Sequence, residues 1–375
     1  MPPSSPSTRD LRIDFFRGLA LIFSCWDHIT GSFFGYFTMR NLGFSDAAEL
    51  FVFLSGVSAA IAYGKRLQRR GYVSTTMHIL SRSWTLYIAH VFVLTQLMAM
   101  LFLVNDHVLT RDYVNEMGLS YFLENPKAAL VASSLLRFRP GLMDPLPLYI
   151  VLLAMMVVVL PFLLRRPRWV LLASGALYLL ATFNEWNFEA RPNKEWFFNP
   201  FTWQFLFFIG ALVGSHREAN AQWLARCSVR FRQSLLWGAL AFLAICAVVT
   251  VSWSWPAWHD SWMPLPVAEL LYPISKSYLG GARLLHFLAL VLVAVLLLPQ
   301  GKWLDGKFSQ ALQMMGRHTL PVFCVSVLLS PMADALNAIE GDDWWMQCIT
   351  AVLGVVLLWA VAQLLEWYRR DESKA

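Results

Sequence analysis

The sequence contains few charged residues. Asp, Glu, Lys and Arg make up 14% of its 375 positions, whereas an ordinary soluble domain holds roughly 25%. This scarcity excludes an ordinary soluble globular domain. Hydrophobic residues account for 57% of the chain and form repeated long runs, and a membrane-spanning helix needs about 20 mostly apolar residues. We therefore expect an integral membrane protein.

The sequence also lacks paired cysteines. The five cysteines are scattered, with no C-x-x-C pair and no metal-ligand spacing: Cys25, Cys227, Cys246, Cys324 and Cys348. Such isolated cysteines are typical of small apolar filler residues. The sequence therefore predicts neither a disulfide framework nor a metal site.

An excess of basic residues does not by itself indicate nucleic-acid binding here. The net charge is +6, but the basic residues cluster in short segments between apolar runs, as orientation signals do. No A-x-A-like cleavage site follows the polar N-terminal residues, so we expect a retained first helix and no removed signal peptide.

Ten apolar runs predict a single all-α membrane domain over residues 1–375. The expected spans are 11–30, 46–64, 80–104, 144–164, 168–184, 200–215, 234–253, 280–300, 312–332 and 344–366. With both termini in the cytoplasm, most basic residues, from Arg9 to Lys374, fall on the cytoplasmic side. The outer loops hold fewer, although they are longer in total. This alternation favours ten spanning helices under the positive-inside rule.

The predicted outer loops are rich in tryptophan: Trp186, Trp196, Trp253, Trp255, Trp258 and Trp262. Two interpretations remain open. The rings can form an aromatic belt at the level of the lipid headgroups. Alternatively, some of them can stack on sugar faces, since an aromatic ring offers a flat apolar surface.

The first predicted helix carries the ionisable residues Asp14, Arg17, Asp27 and His28 in a segment that is otherwise largely apolar. Such groups are expensive within a bilayer and tend to face a bundle interior or a water-filled cavity. Arg17 and His28 are eleven residues apart, which is about three helical turns, so they share one face roughly 16 Å apart. A neutral histidine can accept a proton from a sugar hydroxyl, and an arginine can hold phosphates or a carboxylate. The alternative roles are an orientation signal for Arg17 and a polar helix end for His28.

The second predicted helix opens with the acids Asp46 and Glu49 in D-x-x-E spacing. One interpretation is a capping box, in which Asp46 is the N-cap and Glu49 reaches back to it. The other is that Glu49 or Asp27 orients His28, as a carboxylate does in a catalytic triad. Gly56 and neighbouring small residues predict close packing against another helix.

Several ordered motifs resemble a known family. The first helix reads R-x10-H, the second reads D-A-A-E-L-F-V-F-L-S-G, and further blocks lie at 138–153, 199–204, 282–290 and 316–324. The first two features resemble the acyltransferase-three superfamily of membrane acyltransferases. The whole set is similar to the OpgC family, whose members succinylate osmoregulated periplasmic glucans. Where this chain has D-A-A-E, the wider superfamily has one aspartate, so either Asp46 or Glu49 is the equivalent acid.

The resemblance implies a multi-pass protein of the bacterial inner membrane that transfers an acyl group to a hydroxyl of a periplasmic glucan. The implied donor is an acyl-CoA, with succinyl-CoA expected. His28 is the expected general base, Asp27 and Glu49 are the other catalytic candidates, and Arg17, Asp14 and Asp46 are candidate substrate contacts.

Two histidine and arginine pairs are additional substrate-binding candidates. Arg283 and His286 share a face of the eighth span, near its outer end, and can bind the acyl carboxylate or the thioester region. They can equally be satisfied within the bundle. Arg317 and His318 lie near the inner end of the ninth span, where contact with CoA phosphates and simple anchoring are both consistent with the sequence.

Intramembrane Arg, His and Asp would also suit a transporter or flippase for a small anion or a sugar-linked lipid. Transporters often contain internal repeats and paired broken helices, and the sequence shows neither. A third alternative is a non-catalytic membrane partner of a glucan-synthesis complex.

Overall fold

The structure is a computed structural model that describes residues 10–372. Arg9 and Lys374, which support the predicted cytoplasmic tails, lie outside these described residues. Within them, 79% of residues are helical and no strand is present. The predicted all-α class is therefore confirmed.

Sixteen α-helices follow one another along the described chain. They are α1 (Leu11–Asp27), α2 (Ala47–Asn105), α3 (Tyr113–Glu116), α4 (Ser120–Glu124), α5 (Pro126–Ser134), α6 (Pro145–Arg165), α7 (Pro167–Phe183), α8 (Pro200–Ser215), α9 (Arg217–Arg226), α10 (Val229–Ser252), α11 (Pro256–Trp262), α12 (Leu265–Leu271), α13 (Gly281–Leu297), α14 (Lys307–Arg317), α15 (Thr319–Ile339) and α16 (Trp344–Glu372). Short 3₁₀ turns lie at Phe33–Phe37, Met39–Asn41 and Lys302–Asp305.

Five of these helices are long and apolar enough to cross a membrane: α2, α6, α10, α15 and α16. Helices α7, α8 and α13 are apolar but shorter, at 16 or 17 residues. Each of the ten predicted segments overlaps a helix of the structure. Helix α1 overlaps the first segment, and α2 overlaps both the second and the third. The number of crossings and the sides of the two termini stay predictions.

The connection predicted between the second and third spans is not a loop. Residues 65–79 are part of α2, which changes direction at Gly71. Gly71 has φ 74°, a backbone conformation that glycine adopts without the steric cost of a Cβ. The basic residues Lys65, Arg66, Arg69 and Arg70 therefore lie on the helical turns just before the bend.

The predicted ninth span is also divided differently. The structure ends α14 at Arg317 and begins α15 at Thr319, with the junction residue His318 outside helical geometry at φ −104° and ψ 36°. Arg317 and His318 thus lie at a break between two helices, and not near the end of one continuous helix. The backbone here can turn the two side chains toward the bundle interior.

Two helix pairs approach closely through glycines. A Cβ on Gly316 of α14 would overlap the Asp14 carbonyl of α1, and a Cβ on Gly18 would overlap the Leu312 carbonyl. Gly56 makes the same kind of contact with Phe207 of α8. The predicted close packing at Gly56 is therefore confirmed, and small residues hold α1 and α2 against their neighbours.

The long segment after α2 folds over one end of the bundle. It contains α3, α4 and α5, and it is anchored by the buried side chains of Tyr113 and Phe138. The Tyr113 hydroxyl donates a hydrogen bond of 2.7 Å to Asp334 of α15, and Arg111 lies 2.6 Å from the same carboxylate. Burial and this hydrogen bond raise the pKa of Tyr113 above its ordinary value, so the phenol remains a donor at neutral pH.

Candidate functional site

A cavity of about 1280 Å³ lies among α1, α2, α6, α10, α13 and α15. Small-molecule pockets in proteins commonly measure about 300–1,000 Å³, so this one has room for more than one small substrate. We call its two parts the Arg17 end, with Arg17, Arg82, Arg317 and His318, and the His28 end. The His28 end is lined by residues of the segments 24–28, 40–48, 115–120, 139–146, 192–198, 250–254 and 274–283.

Helix α1 connects the two ends. It begins after Asp10, whose side chain caps the Arg12 N–H, and it ends at Asp27 with His28 as its C-cap. Arg17 and His28 both line the cavity, as their shared helical face predicts. The structure therefore brings these two residues to a single cavity, about 16 Å apart along the helix axis.

The His28 imidazole is accessible from the cavity. The side chain is exposed, and among the described residues its one hydrogen-bond partner is the Ser24 hydroxyl, 3.5 Å from Nδ1. This arrangement leaves Nε2 available to a substrate group. A general base needs such a nitrogen within about 2.6–3.2 Å of the hydroxyl it deprotonates.

Among the described residues, the Asp27 side chain hydrogen-bonds to Thr38 and not to the His28 ring. Its Oδ1 accepts a hydrogen bond of 2.5 Å from the Thr38 hydroxyl, and Arg40 donates to its backbone carbonyl at 3.1 Å. These contacts tie the end of α1 to the 3₁₀ turns that follow. Asp27 lines the cavity beside His28, and its role in orienting the imidazole stays a prediction.

Glu49, the other expected partner of His28, forms its hydrogen bonds with Asp46 and Arg283. Its side chain is fully buried, with Oε2 accepting from the Asp46 N–H at 2.8 Å and Oε1 accepting from Arg283 Nε at 2.7 Å. Asp46 in turn accepts from the Ala48 N–H. The capping box is confirmed. Both Glu49 oxygens have partners other than His28, and a catalytic role for Glu49 stays a prediction.

Asp46 joins this capping box to the cavity. Its Oδ2 lies 2.5 Å from Lys276 Nζ and 3.2 Å from Arg283 Nη2. Asp46, Arg283 and Lys276 all line the His28 end, whereas Glu49 is behind them. The negative charges of Asp46 and Glu49 are thus paired with the positive charges of Lys276 and Arg283 where α2 and α13 begin.

His286 is satisfied within the bundle. It is 2% exposed, its Nδ1 lies 2.8 Å from the Ser45 hydroxyl, and it does not line the cavity. Ser45 and close packing against Gly43 therefore occupy the His286 ring. These contacts favour the alternative in which His286 is satisfied within the bundle, and its contact with substrate stays a prediction. Arg283, one turn earlier, does line the cavity.

The Arg17 end is rich in cations. Arg17 donates to the Leu54 carbonyl at 3.2 Å, while Arg317 and His318 share the Glu366 carboxylate at 3.7 and 3.1 Å. Asp14 is 2% exposed beneath Gly316 and does not line the cavity. Helix α14 therefore covers Asp14, and a substrate contact by this residue stays a prediction.

Six charged residues of the cavity wall are not among the catalytic and substrate-binding residues expected from the sequence: Arg40, Arg82, Glu116, Arg139, Asp144 and Lys276. Arg82 counts as an ordinary cytoplasmic basic residue when 65–79 is taken for a loop. Arg139 belongs to the block at 138–153, but only the fold places its guanidinium 2.8 Å from Asp144 and over the Trp196 ring. Burial lowers the pKa of Arg139, and Asp144 opposes that shift.

The middle of the cavity is largely apolar. Phe51, Val52, Leu86, Leu148 and Leu152 line it between the two charged ends. The wall therefore offers an anion-binding end, an apolar passage and a second end with an accessible imidazole. This sequence of surfaces can hold a long substrate with a phosphorylated head and an uncharged arm.

The sequence matches a known protein family over nearly its whole length. Residues 9–370 match the family described as OpgC protein. No curated protein and no solved structure matches the chain. Membership implies an acyltransferase that modifies osmoregulated periplasmic glucans. Because the match covers nearly the whole sequence, the chain belongs to the OpgC family.

Proposed function

We propose that this protein transfers a succinyl group from succinyl-CoA to a hydroxyl of a periplasmic glucan, across the bacterial inner membrane. The observation that carries the proposal is one cavity lined at one end by His28 and at the other by Arg17, Arg82, Arg317 and His318. The Arg17 end faces the cytoplasm in this proposal, and the His28 end faces the periplasm.

The cationic end suits the donor's phosphates. Arginine presents a fixed fork of donors that matches phosphate geometry. The apolar middle of the cavity suits the uncharged pantetheine arm, which then places the thioester near His28. The donor thereby spans the roughly 16 Å between Arg17 and His28.

The chemical step uses the free nitrogen of His28. Nε2 takes the proton of the glucan hydroxyl as its oxygen attacks the thioester carbonyl. The new C–O bond forms, the C–S bond breaks, and the CoA sulfur leaves with the proton that His28 had accepted. The result is a glucan ester and free CoA, so the histidine returns to its starting state.

The test is mass spectrometry of periplasmic glucans from cells that lack the gene, complemented with the wild type or with His28→Ala. Glucans that carry succinyl units only with the wild type support the proposal. The matched control is His107→Ala, because His107 is exposed on the segment after α2 and does not line the cavity. Glucans that are modified equally with His28→Ala would contradict it. A transporter would leave the glucans unmodified in every strain.

A further inference from the structure

The wall of the His28 end contains a fixed aromatic surface. Trp253, at the end of α10, stacks on Phe44 with ring centroids 6.0 Å apart and an interplanar angle of 22°. Both residues line the cavity. Phe44 is 5% exposed and Trp253 is 40% exposed, so the Trp253 indole is the accessible ring of the pair.

A chain of hydrogen bonds fixes the Trp253 ring. Its Nε1 donates to the Tyr272 hydroxyl at 2.7 Å, that hydroxyl lies 3.3 Å from His259 Nε2, and His259 Nδ1 lies 2.6 Å from the Ser252 hydroxyl. The polar edge of the indole is therefore already bonded within the protein. What it offers to a ligand is its flat face, held in place before binding, which reduces the entropy lost when a ligand stacks on it.

Other segments add an aromatic ring and amide groups to the same end. Phe197 lines the cavity and is 40% exposed, and the Lys276 ammonium lies 5.7 Å from its ring centroid. Asn41 and Asn193 line the cavity as well. Aromatic faces next to amide side chains match a hexose, which has flat C–H faces and a rim of hydroxyls.

The other tryptophans of the segment after α10 lie outside the cavity wall. Trp255, Trp258 and Trp262 are exposed and do not line the cavity. Rings in that position are typical of an aromatic belt at the headgroup level. Of the six loop tryptophans considered from the sequence, Trp253 is the one that lines the cavity.

We propose that Trp253, backed by Phe44 and joined by Phe197, is the binding surface for a glucosyl unit of the acceptor next to the one that is modified. This inference rests on the proposed function for the identity of the acceptor. Stacking on Trp253 holds the glucan chain at the His28 end, so that a hydroxyl of the neighbouring unit can reach the imidazole. Trp253 is a substrate-binding residue in this account and takes no part in proton transfer.

The experiment uses the full-length protein in proteoliposomes and two readouts. One is equilibrium binding of tritium-labelled periplasmic glucan with no donor present; the other is the KM for glucan and for succinyl-CoA in the transfer assay. The variants are Trp253→Ala, Trp253→Phe and the matched control Trp258→Ala. We expect Trp253→Ala to weaken glucan binding and raise the glucan KM about tenfold, the size expected for losing one aromatic contact. Trp253→Phe should recover most of the affinity, and the KM for succinyl-CoA should not change.

Glucan binding that is unchanged in Trp253→Ala would overturn the inference, as would an equal loss in Trp258→Ala. The binding readout needs no acyl transfer, so it separates this inference from the proposed reaction. If wild-type protein binds glucan through Trp253 and transfers no acyl group, the reaction is wrong and the binding surface stands. If acyl transfer depends on His28 but Trp253→Ala does not change the affinity for glucan, the reaction stands and the proposed binding surface is wrong.

Discussion

Removing the Glu49 carboxylate should reduce stability and leave catalysis largely intact. Glu49 is fully buried and bonded to Arg283 and to the Asp46 N–H, so Glu49→Ala leaves a buried guanidinium with fewer counter-charges. Breaking a buried ion pair from one side costs about 3–5 kcal/mol. Because Asp46 still lies 3.2 Å from Arg283, we expect the low end, about 3 kcal/mol.

The assay is thermal unfolding in detergent, followed by tryptophan fluorescence. At about 2 °C per kcal/mol for a large chain, Glu49→Ala should lower the Tm by about 6 °C. The matched control is the double variant Glu49→Ala, Arg283→Met, which removes both charges. Its Tm should return to within about 2 °C of the wild type, since replacing both members of a buried pair with apolar groups is often neutral.

Turnover by the folded Glu49→Ala protein should remain within about threefold of the wild type, whereas loss of general-base catalysis costs about 100-fold or more. A variant with an unchanged Tm and turnover reduced about 100-fold would refute the structural role of Glu49. It would instead favour the interpretation in which Glu49 supports His28 during the reaction.

Two further substitutions test how α1 is held. Gly316→Ala should lower the free energy of unfolding by about 1–3 kcal/mol, because its Cβ would overlap the Asp14 carbonyl and force α14 away from α1; Gly238→Ala, with open space around it, should be neutral or slightly stabilising in the same unfolding assay. Equal effects at the two glycines would contradict the close packing. Asp334→Ala removes the acceptor of the Thr30 N–H, 2.6 Å away and two residues after His28, so turnover should fall about 10- to 100-fold through misplacement of the imidazole, with the KM for succinyl-CoA unchanged. Wild-type turnover in Asp334→Ala would contradict that positioning role.

The helical architecture could be predicted from the sequence because long apolar runs specify helices through composition alone. The bend at Gly71 could not, since a single glycine after a run of basic residues is equally compatible with a loop. The break at His318 could not be predicted for a similar reason: the apolar pattern of 312–332 continues across it, although the His318 backbone is not helical.

The shared face of Arg17 and His28 follows from helical periodicity, so these two residues could be placed together from sequence. The partners of Glu49 could not. D-x-x-E spacing predicts a capping box and a catalytic acid equally well, and the choice depends on Arg283, which is 234 residues away. Lys276 and Arg139 were missed because their sequence neighbours resemble ordinary loop residues, and only the fold brings them to the cavity.

The most direct test of the account is a sided transfer assay with purified protein. Vesicles contain periplasmic glucan inside, radiolabelled succinyl-CoA is added outside, and the protein is inserted with the Arg17 end outward. The account predicts that label accumulates on the enclosed glucan as an alkali-labile ester with the wild type, and that His28→Ala reduces its rate by about 100-fold or more. Transfer by His28→Ala at the wild-type rate, or labelled glucan only when donor and glucan share the same side, would contradict the account.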